Sequence, residues 1–446
     1  MLLPPGATKG TGLLAALHEM GYSPRNVVAI GDGENDRSLF EQSELSVAVS
    51  NAKAEIKEIA DIVLEKPNGA GVRSFIDRLI ASDLPMHITR EKKLITLGKR
   101  MNGSDLIVHP DSLLNNRIGI FGSSGSGKSW LGGLLAEELL HLQYQICIID
   151  PEGDYRNLRA FSHTLLLGGS EEIPPPGSFI STLAEYSDVS LVLDLSTYDH
   201  PQKCRYVYEL LKTLFNLRDR KGIPHWFLID EAQYFCAADQ GPIRDLLLEQ
   251  SDVGGIALVS YQPSLISPEV MATLDSWMIT KMSNPGEMAV LRTYMNDEEL
   301  YLLDDQQFSN MTTSEVYISS KNGIGNSGMI NFSGKQRVLP HIRHLHKYLR
   351  APLPDDKRFY FKQNGKQLSA SSLWDFCKMV TQVSPKVLKY HLDEGHFEKW
   401  IQEVLHDEEL ARRLRKIKNR ALDGAFLVNA LHLTLSSRFT ELEQLI

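Results

Sequence analysis

The sequence predicts an α/β protein whose main sheet is mostly parallel and covered on both faces. A smaller α/β segment precedes it and an all-helical segment follows. Five apolar strand candidates carry the main prediction: RIGIFG (117–122), QICIID (145–150), VSLVLDL (189–195), HWFLID (225–230) and GIALVSY (255–261). Helical patterns and loops separate them, and continuous apolar runs of this kind belong to strands buried on both faces. Residues 1–82 repeat the alternation on a smaller scale, and from about Leu373 onward the pattern is helical with no good strand.

Composition fits such a fold. The 446 residues are 42% hydrophobic and 23% charged, a globular balance. No run of about 18 apolar residues occurs, so no membrane-spanning helix is expected. The formal net charge of -9 excludes a bulk polycation, so any nucleic acid must meet a local basic surface or a pore. Cys147, Cys204, Cys236 and Cys377 are widely spaced, which excludes a disulfide scaffold and suits a reducing, cytoplasmic setting. Met1 leads into LLPPGATKGTG without a basic region followed by an apolar one, so no secretory leader is expected.

In chain order, residues 1–82 read as a helix (Gly12 to Met20), a strand (Asn26 to Ile30), a polar loop, a second helix and further short elements. Residues 83–110 are a charged connection containing TREKKLITLGKR. Residues 111–345 hold the five strands. RAPLPDDKRF marks a Pro- and charge-rich linker over 346–372, and 373–446 form the helical end.

The strongest chemical signal is Gly122-Ser123-Ser124-Gly125-Ser126-Gly127-Lys128-Ser129, a full G-x-x-x-x-G-K-[ST] phosphate-binding loop. An apolar strand precedes it and a helix, WLGGLLAEELL, follows. Glycines let backbone N–H groups wrap phosphates, and the helix N-terminus adds positive potential. Lys128 is expected on the β- and γ-phosphates of ATP, and the Ser129 hydroxyl on Mg²⁺. The strand WFLI ends in Asp230-Glu231, so Asp230 is expected to hold Mg²⁺ and Glu231 to act as general base. Gln262, past the end of GIALVSY, reads either as a sensor of the γ-phosphate or as a polar loop residue.

IIDPEGDY (148–155), LVLDLS (191–196), LIDEAQYF and LVSYQPS, in that order over about residues 111–345, resemble the HerA/FtsK-type ATPases. The resemblance implies a RecA-like core with an additional strand and a catalytic glutamate. It also implies a ring, usually a hexamer, that translocates double-stranded DNA. The family's basic segment before the sensor strand reads EQSDVGG here, so the arginine acting in trans is unplaced; Arg244 and Arg292 are candidates. The family's small N-terminal barrel is not evident.

Residues 1–82 resemble the C-terminal half of a haloacid-dehalogenase-type (HAD) phosphatase, through PPGATKGTGL with Lys9, Gly31-Asp32-Gly33-Glu34-Asn35-Asp36, and the tail NAKAEIKEIADIVLEKPNGAGV. That implies Asp32 and Asp36 toward Mg²⁺ and Lys9 as a charge neutraliser. The nucleophile motif D-x-D-x-T is missing, and its half of the domain would lie before Met1, so phosphatase chemistry is not expected of this chain.

LARRLRKIKNR (410–420) reads either as a contact to DNA phosphates or as a solvated helix face. His391 and His396 read as a metal pair or as part of a small helical cap. The tail implies a protein partner. An ATP-driven ring motor is the main reading. An ATP-dependent oligomeric switch that recruits partners, and a phosphatase lacking its first half, are the alternatives.

Overall fold

Strand Arg117–Phe121 lies near the middle of an eleven-stranded sheet, with all five of its residues buried. The computed structural model describes residues 6–82, 93–169, 173–186, 188–237, 241–295, 304–321, 327–335, 337–338, 349, 353, 357–363, 365–405, 407–420 and 422–443. The strands in chain order are β1 (Val28–Gly31), β2 (Leu45–Ala48), β3 (Ile62–Val63), β4 (Ile95–Arg100), β5 (Asp105–Val108), β6 (Arg117–Phe121), β7 (Ile146–Asp150), β8 (Thr164–Gly168) and β9 (Ser190–Asp194). They continue with β10 (Trp226–Ile229), β11 (Ile256–Ser260), β12 (Ser276–Ile279), β13 (Glu315–Ser320), β14 (Gly328–Asn331), β15 (Phe359–Gln363) and β16 (Lys366–Ala370).

The large sheet runs β5-β4-β14-β13-β12-β6-β11-β10-β7-β9-β8. From β12 to β8 every neighbouring pair is parallel. From β12 to β5 every pair is antiparallel. β11 lies between the strand that carries the phosphate loop and β10, which carries Asp230 at its end. This is the additional strand implied above.

Successive residues of each strand face opposite sides. Ile148 and Leu228 pack with Leu131, Leu135 and Leu139 of the helix Lys128–His141. Ile149 and Ile229 pack with Leu211 and Leu214 of the helix His200–Lys221. Fully burying each such side chain stabilises the fold by about 1.5–3 kcal/mol. The second helix has its ends fixed locally. Asp199 and Gln202 form a reciprocal cap, and Gly222 closes it at φ 70°.

The sheet does not respect the boundary drawn at residue 111. β4 and β5, inside the segment read as a connection, form its antiparallel edge. Gly98 makes this possible, because a Cβ there would lie 2.8 Å from the Asn331 carbonyl oxygen. The segment read as a linker over 346–372 likewise contains the hairpin β15–β16. Phe359 and Phe361 on that hairpin enter the same apolar cluster as Phe376, Leu388, Phe397, Leu414 and Leu431 of the C-terminal helices. The described elements from Leu373 onward are all helices, as the sequence predicts, and the hairpin packed on them lies in the segment read as a linker.

The N-terminal sheet, in the order β1-β2-β3, is parallel and has its own small core around Val47, Phe40 and Ile56. It meets the large sheet at the starts of β7 and β10. There Glu44 accepts hydrogen bonds from Lys93 Nζ (2.7 Å) and Tyr144 Oη (3.0 Å). Asn26 Nδ2 donates to the Lys221 carbonyl (2.9 Å). These contacts lie at the end of the parallel strands opposite the phosphate loop.

Candidate active site

Four chain segments converge at the C-terminal ends of β6, β7, β10 and β11. The phosphate loop leaves β6 at Gly122, where a side chain would collide with Thr280 Oγ1 and Ser126 Oγ. Thr280 follows β12 and lies 2.6 Å, Oγ1 to Oγ, from Ser126, and it also donates to the Phe121 carbonyl (3.2 Å). The neighbouring strand thus braces the loop from below. The Ser123 N–H donates to the Lys281 carbonyl (2.9 Å). Gly125 and Gly127 take φ of 73° and 98°, a left-handed backbone that glycine adopts without a Cβ penalty. A Cβ at Gly127 would also sit 3.0 Å from the Thr313 carbonyl oxygen. Ser124 is exposed, and the helix begins at Lys128, so its first N–H groups point into the loop.

Lys128 is buried, and its Nζ donates to the Ser123 carbonyl (2.8 Å). Burial pushes the ammonium below its ordinary range, while Glu231, Asp230 and Asp154 pull it back up. Lys357 acts in the same direction as burial, so the charge balance around Lys128 is one that anionic phosphates would alter. Ser129 is half-buried beside it. The hydroxyl of Ser129 and the carboxylate of Asp230 are hard oxygen donors, the type Mg²⁺ takes beside nucleotide phosphates, so the residues present fit that ion.

Asp154 belongs to the D-P-E-G-D-Y turn after β7, and Asp150 builds that turn. Its Oδ1 accepts the N–H groups of Glu152 (3.2 Å), Gly153 (2.6 Å) and Asp154 (3.1 Å), and its Oδ2 that of Tyr155 (2.9 Å). Gly153 turns at φ 85°. Tyr234 Oη donates to Glu152 (3.2 Å) and joins the turn to the strand that carries the acids. Burial raises the Tyr155 hydroxyl well above its ordinary pKa, so it stays neutral. Asp194, at the end of β9, pairs with Arg156, whose Nη2 also reaches Ser196 Oγ (2.9 Å).

Glu231 follows β10 with φ 48°, a left-handed conformation rare for a non-glycine residue and frequent where function holds the backbone. Its carboxylate accepts a hydrogen bond from Gln233 Nε2. Gln233 Oε1 in turn accepts from Ser260 Oγ (2.6 Å), and Ser260 Oγ accepts the Gln262 N–H (3.0 Å). Gln262 therefore sits in a half-buried loop, hydrogen-bonded back to the end of β11. Asp150, Asp154, Gln233, Ser260 and Thr280 were given no role from sequence. Only Asp150 and Asp154 had a signal, the repeated acids of IIDPEGDY.

The family described as Helicase HerA, central domain, matches residues 95–214. The family of haloacid dehalogenase-like hydrolases matches residues 1–76. Residues 95–214 thus resemble the HerA central domain and residues 1–76 a HAD-like hydrolase. The HerA-type match begins at Ile95 with β4, as the sheet does.

Among curated relatives, phosphoglycolate phosphatase 2 of Saccharolobus solfataricus is 45% identical over 83 residues, which are 19% of this chain and 35% of that protein. The phosphoglycolate phosphatase of Methanopyrus kandleri is 47% identical over 72 residues, 16% of this chain and 31% of that protein. The chain thus spans about a third of the length of these relatives. Among solved structures, VirB4 of Thermoanaerobacter pseudethanolicus aligns at 14% identity and a TM-score of 0.41 over 54% of this chain and 96% of that one. The genome packaging NTPase B204 of Sulfolobus turreted icosahedral virus 2, in complex with AMPPCP, aligns at 18% identity and a TM-score of 0.36 over 49% of this chain and 98% of that one.

In the HAD-like part, Lys9 Nζ pairs with Asp36 Oδ1 (2.6 Å). Asp36 Oδ2 accepts the N–H groups of Asp32 (2.9 Å) and Gly33 (3.0 Å). Burial pushes the Asp36 carboxyl up, but Lys9 and these two N–H groups outweigh it and hold it below the usual range. Asp36 is thus committed to Lys9 and to the loop, and Asp32 is exposed at the strand end. Among the described residues no group of three metal-ligating side chains forms, here or elsewhere.

The candidate arginines are held within their own chain. Arg244 pairs with Asp245 (2.7 Å) and Arg292 with Asp305 (3.2 Å). In the basic helix, Arg412 and Arg413 pair with Glu409, and Arg413 also with Glu441. That pairing is the solvated-face reading and leaves less charge for phosphates. His391 and His396 face each other, Nδ1 to Nδ1, at 3.1 Å beside Phe359 and Phe397. No helix among the described residues is long and apolar enough to cross a membrane.

Proposed function

We propose that the chain is an ATP-hydrolysing motor of the HerA type that assembles into a six-membered ring and moves along double-stranded DNA. The observation that supports it most is the convergence of the braced phosphate loop with Lys128 and the Asp230–Glu231 strand end, with β11 inserted between their strands. The backbone N–H groups of Gly125 to Ser129 bind the β- and γ-phosphates, and Lys128 turns from the Ser123 carbonyl to neutralise them. Ser129 and Asp230 would hold Mg²⁺, which would supply charge neutralisation on the phosphate oxygens. Glu231 orients the attacking water and takes its proton. Gln262, on the loop after β11, senses the γ-phosphate.

A cation from a neighbouring copy completes the site, and repeated head-to-tail contacts of that kind close into a ring. The HAD-like part, docked at the opposite end of the strands, and the C-terminal unit serve as adaptors for partner proteins. The Lys9–Asp36 pair is a structural remnant of a Mg²⁺ site.

The test is ATP turnover with and without double-stranded DNA, alongside mass photometry with and without ATP. DNA-stimulated turnover by a six-membered species is the expected result. ATP-dependent assembly with no response to DNA would favour a nucleotide-dependent switch instead.

A further inference from the structure

The amide of Gln233 bridges two elements that the proposed reaction must coordinate. It is buried, and a buried carboxamide needs partners for both its oxygen and its nitrogen. Its orientation is determined by the chain of bonds. Ser260 Oγ accepts the Gln262 N–H and donates to Gln233 Oε1, and the Glu231 carboxylate can only accept. That leaves Gln233 Nε2 as the donor to Glu231. A flipped amide would set its oxygen against the carboxylate, which only accepts, and lose the bond to Glu231. Ser260 is fully buried at the end of β11, so the anchor is rigid. Glu231, by contrast, sits on a backbone held in the left-handed region.

We propose that Gln233, anchored by Ser260, is the positioning residue that sets the Glu231 carboxylate and couples it to the loop carrying Gln262. This rests on the assignment of Glu231 as the general base. A shift of the Gln262 backbone pulls on Ser260, and the amide transmits it to the carboxylate two bonds away. A displaced base loses near-attack geometry, and about 1 Å of misplacement costs roughly 10²-fold in rate.

The test uses the full chain and four variants: Glu231→Gln, Gln233→Leu, Ser260→Ala and the double variant Gln233→Leu/Ser260→Ala. Single-turnover ATP cleavage, kcat, KM and the affinity for a non-hydrolysable ATP analogue are measured for each. Gln233→Leu is expected to slow cleavage by about 10–100-fold while KM and analogue affinity stay within about twofold. Ser260→Ala should fall between it and wild type. The double variant should be no slower than Gln233→Leu, because both changes break one chain of bonds.

Wild-type cleavage in Gln233→Leu, or a double variant whose losses multiply, overturns the proposal. Should Gln233→Leu lose analogue binding through misfolding, Gln233→Glu decides. It keeps the shape but sets a second carboxyl against Glu231, and must show the same selective loss in kcat. Normal turnover in Glu231→Gln would instead remove the base assignment itself, a separate failure.

Discussion

Acidification should loosen the junction between the HAD-like part and the ATPase core through one histidine. His225 Nδ1 accepts the Gln145 N–H (2.9 Å), and its Nε2 lies 3.2 Å from Asn26 Oδ1, so the neutral ring donates to Asn26. Burial, with Arg25 and Arg218 nearby, drives its pKa from 6.5 down to about 3. The folded ring therefore stays neutral where the unfolded one charges. Below the unfolded value the unfolded state binds the extra proton, so stability is full above about pH 6.5 and falls toward pH 3. At pH 5 the loss from this group is at most about 2 kcal/mol, and nearer 1 if the partly exposed edge of the ring is hydrated. His225→Gln keeps a donor and an acceptor and removes the titration. Urea unfolding of both proteins at pH 7.5, 6 and 5 isolates the term, because shared carboxylates cancel in the difference. The gap between wild type and His225→Gln should shift by about 1–2 kcal/mol between pH 7.5 and 5, against the wild type. A gap that does not move with pH would refute the neutral, buried assignment.

Lys128→Ala should abolish ATP hydrolysis and weaken nucleotide binding; turnover equal to wild type would place the active site elsewhere. Gly122→Ala forces a methyl against Thr280 and Ser126, an overpacking of about 1–3 kcal/mol, and should weaken nucleotide affinity measured by calorimetry while Thr280→Gly partly restores it. Mass photometry with ATP and Mg²⁺ should show a closed, six-membered ring, and a fully active monomer at micromolar concentration would end the ring reading. Purified protein should not release phosphate from an aryl phosphate with Mg²⁺, and Asp32→Asn should leave ATP turnover intact; robust release lost in Asp32→Asn would show a working phosphatase.

What sequence revealed, and what it hid, follows from how the side chains are used. Gly122 to Ser129 and Asp230-Glu231 were legible because the phosphate and metal chemistry proposed for them would restrict residue type at each position. The five central strands were legible because burial on both faces makes them continuously apolar. β4 was hidden: its run ITLGKR mixes charge with glycine at an antiparallel edge, and only its pairing with β14 makes it a strand. β12, SWMI, and β14, GMIN, are too short to show a period. The hairpin β15–β16 did carry a signal, Asn364-Gly365 between FYFKQ and KQLSA, the pair favoured in tight hairpin turns. It was masked by the prolines just before it. Gln233 and Ser260 carried none, since their role exists only where β10 and β11 meet.

The most direct measurement is ATP hydrolysis by the full chain and by Glu231→Gln, with analogue binding followed in parallel. The expected result is Mg²⁺-dependent turnover in wild type and a loss of about 10²–10⁴-fold in Glu231→Gln, with binding retained. Equal turnover in the two proteins, or none in wild type despite tight binding of ATP, would contradict the assignment of this site as an ATP-hydrolysing centre.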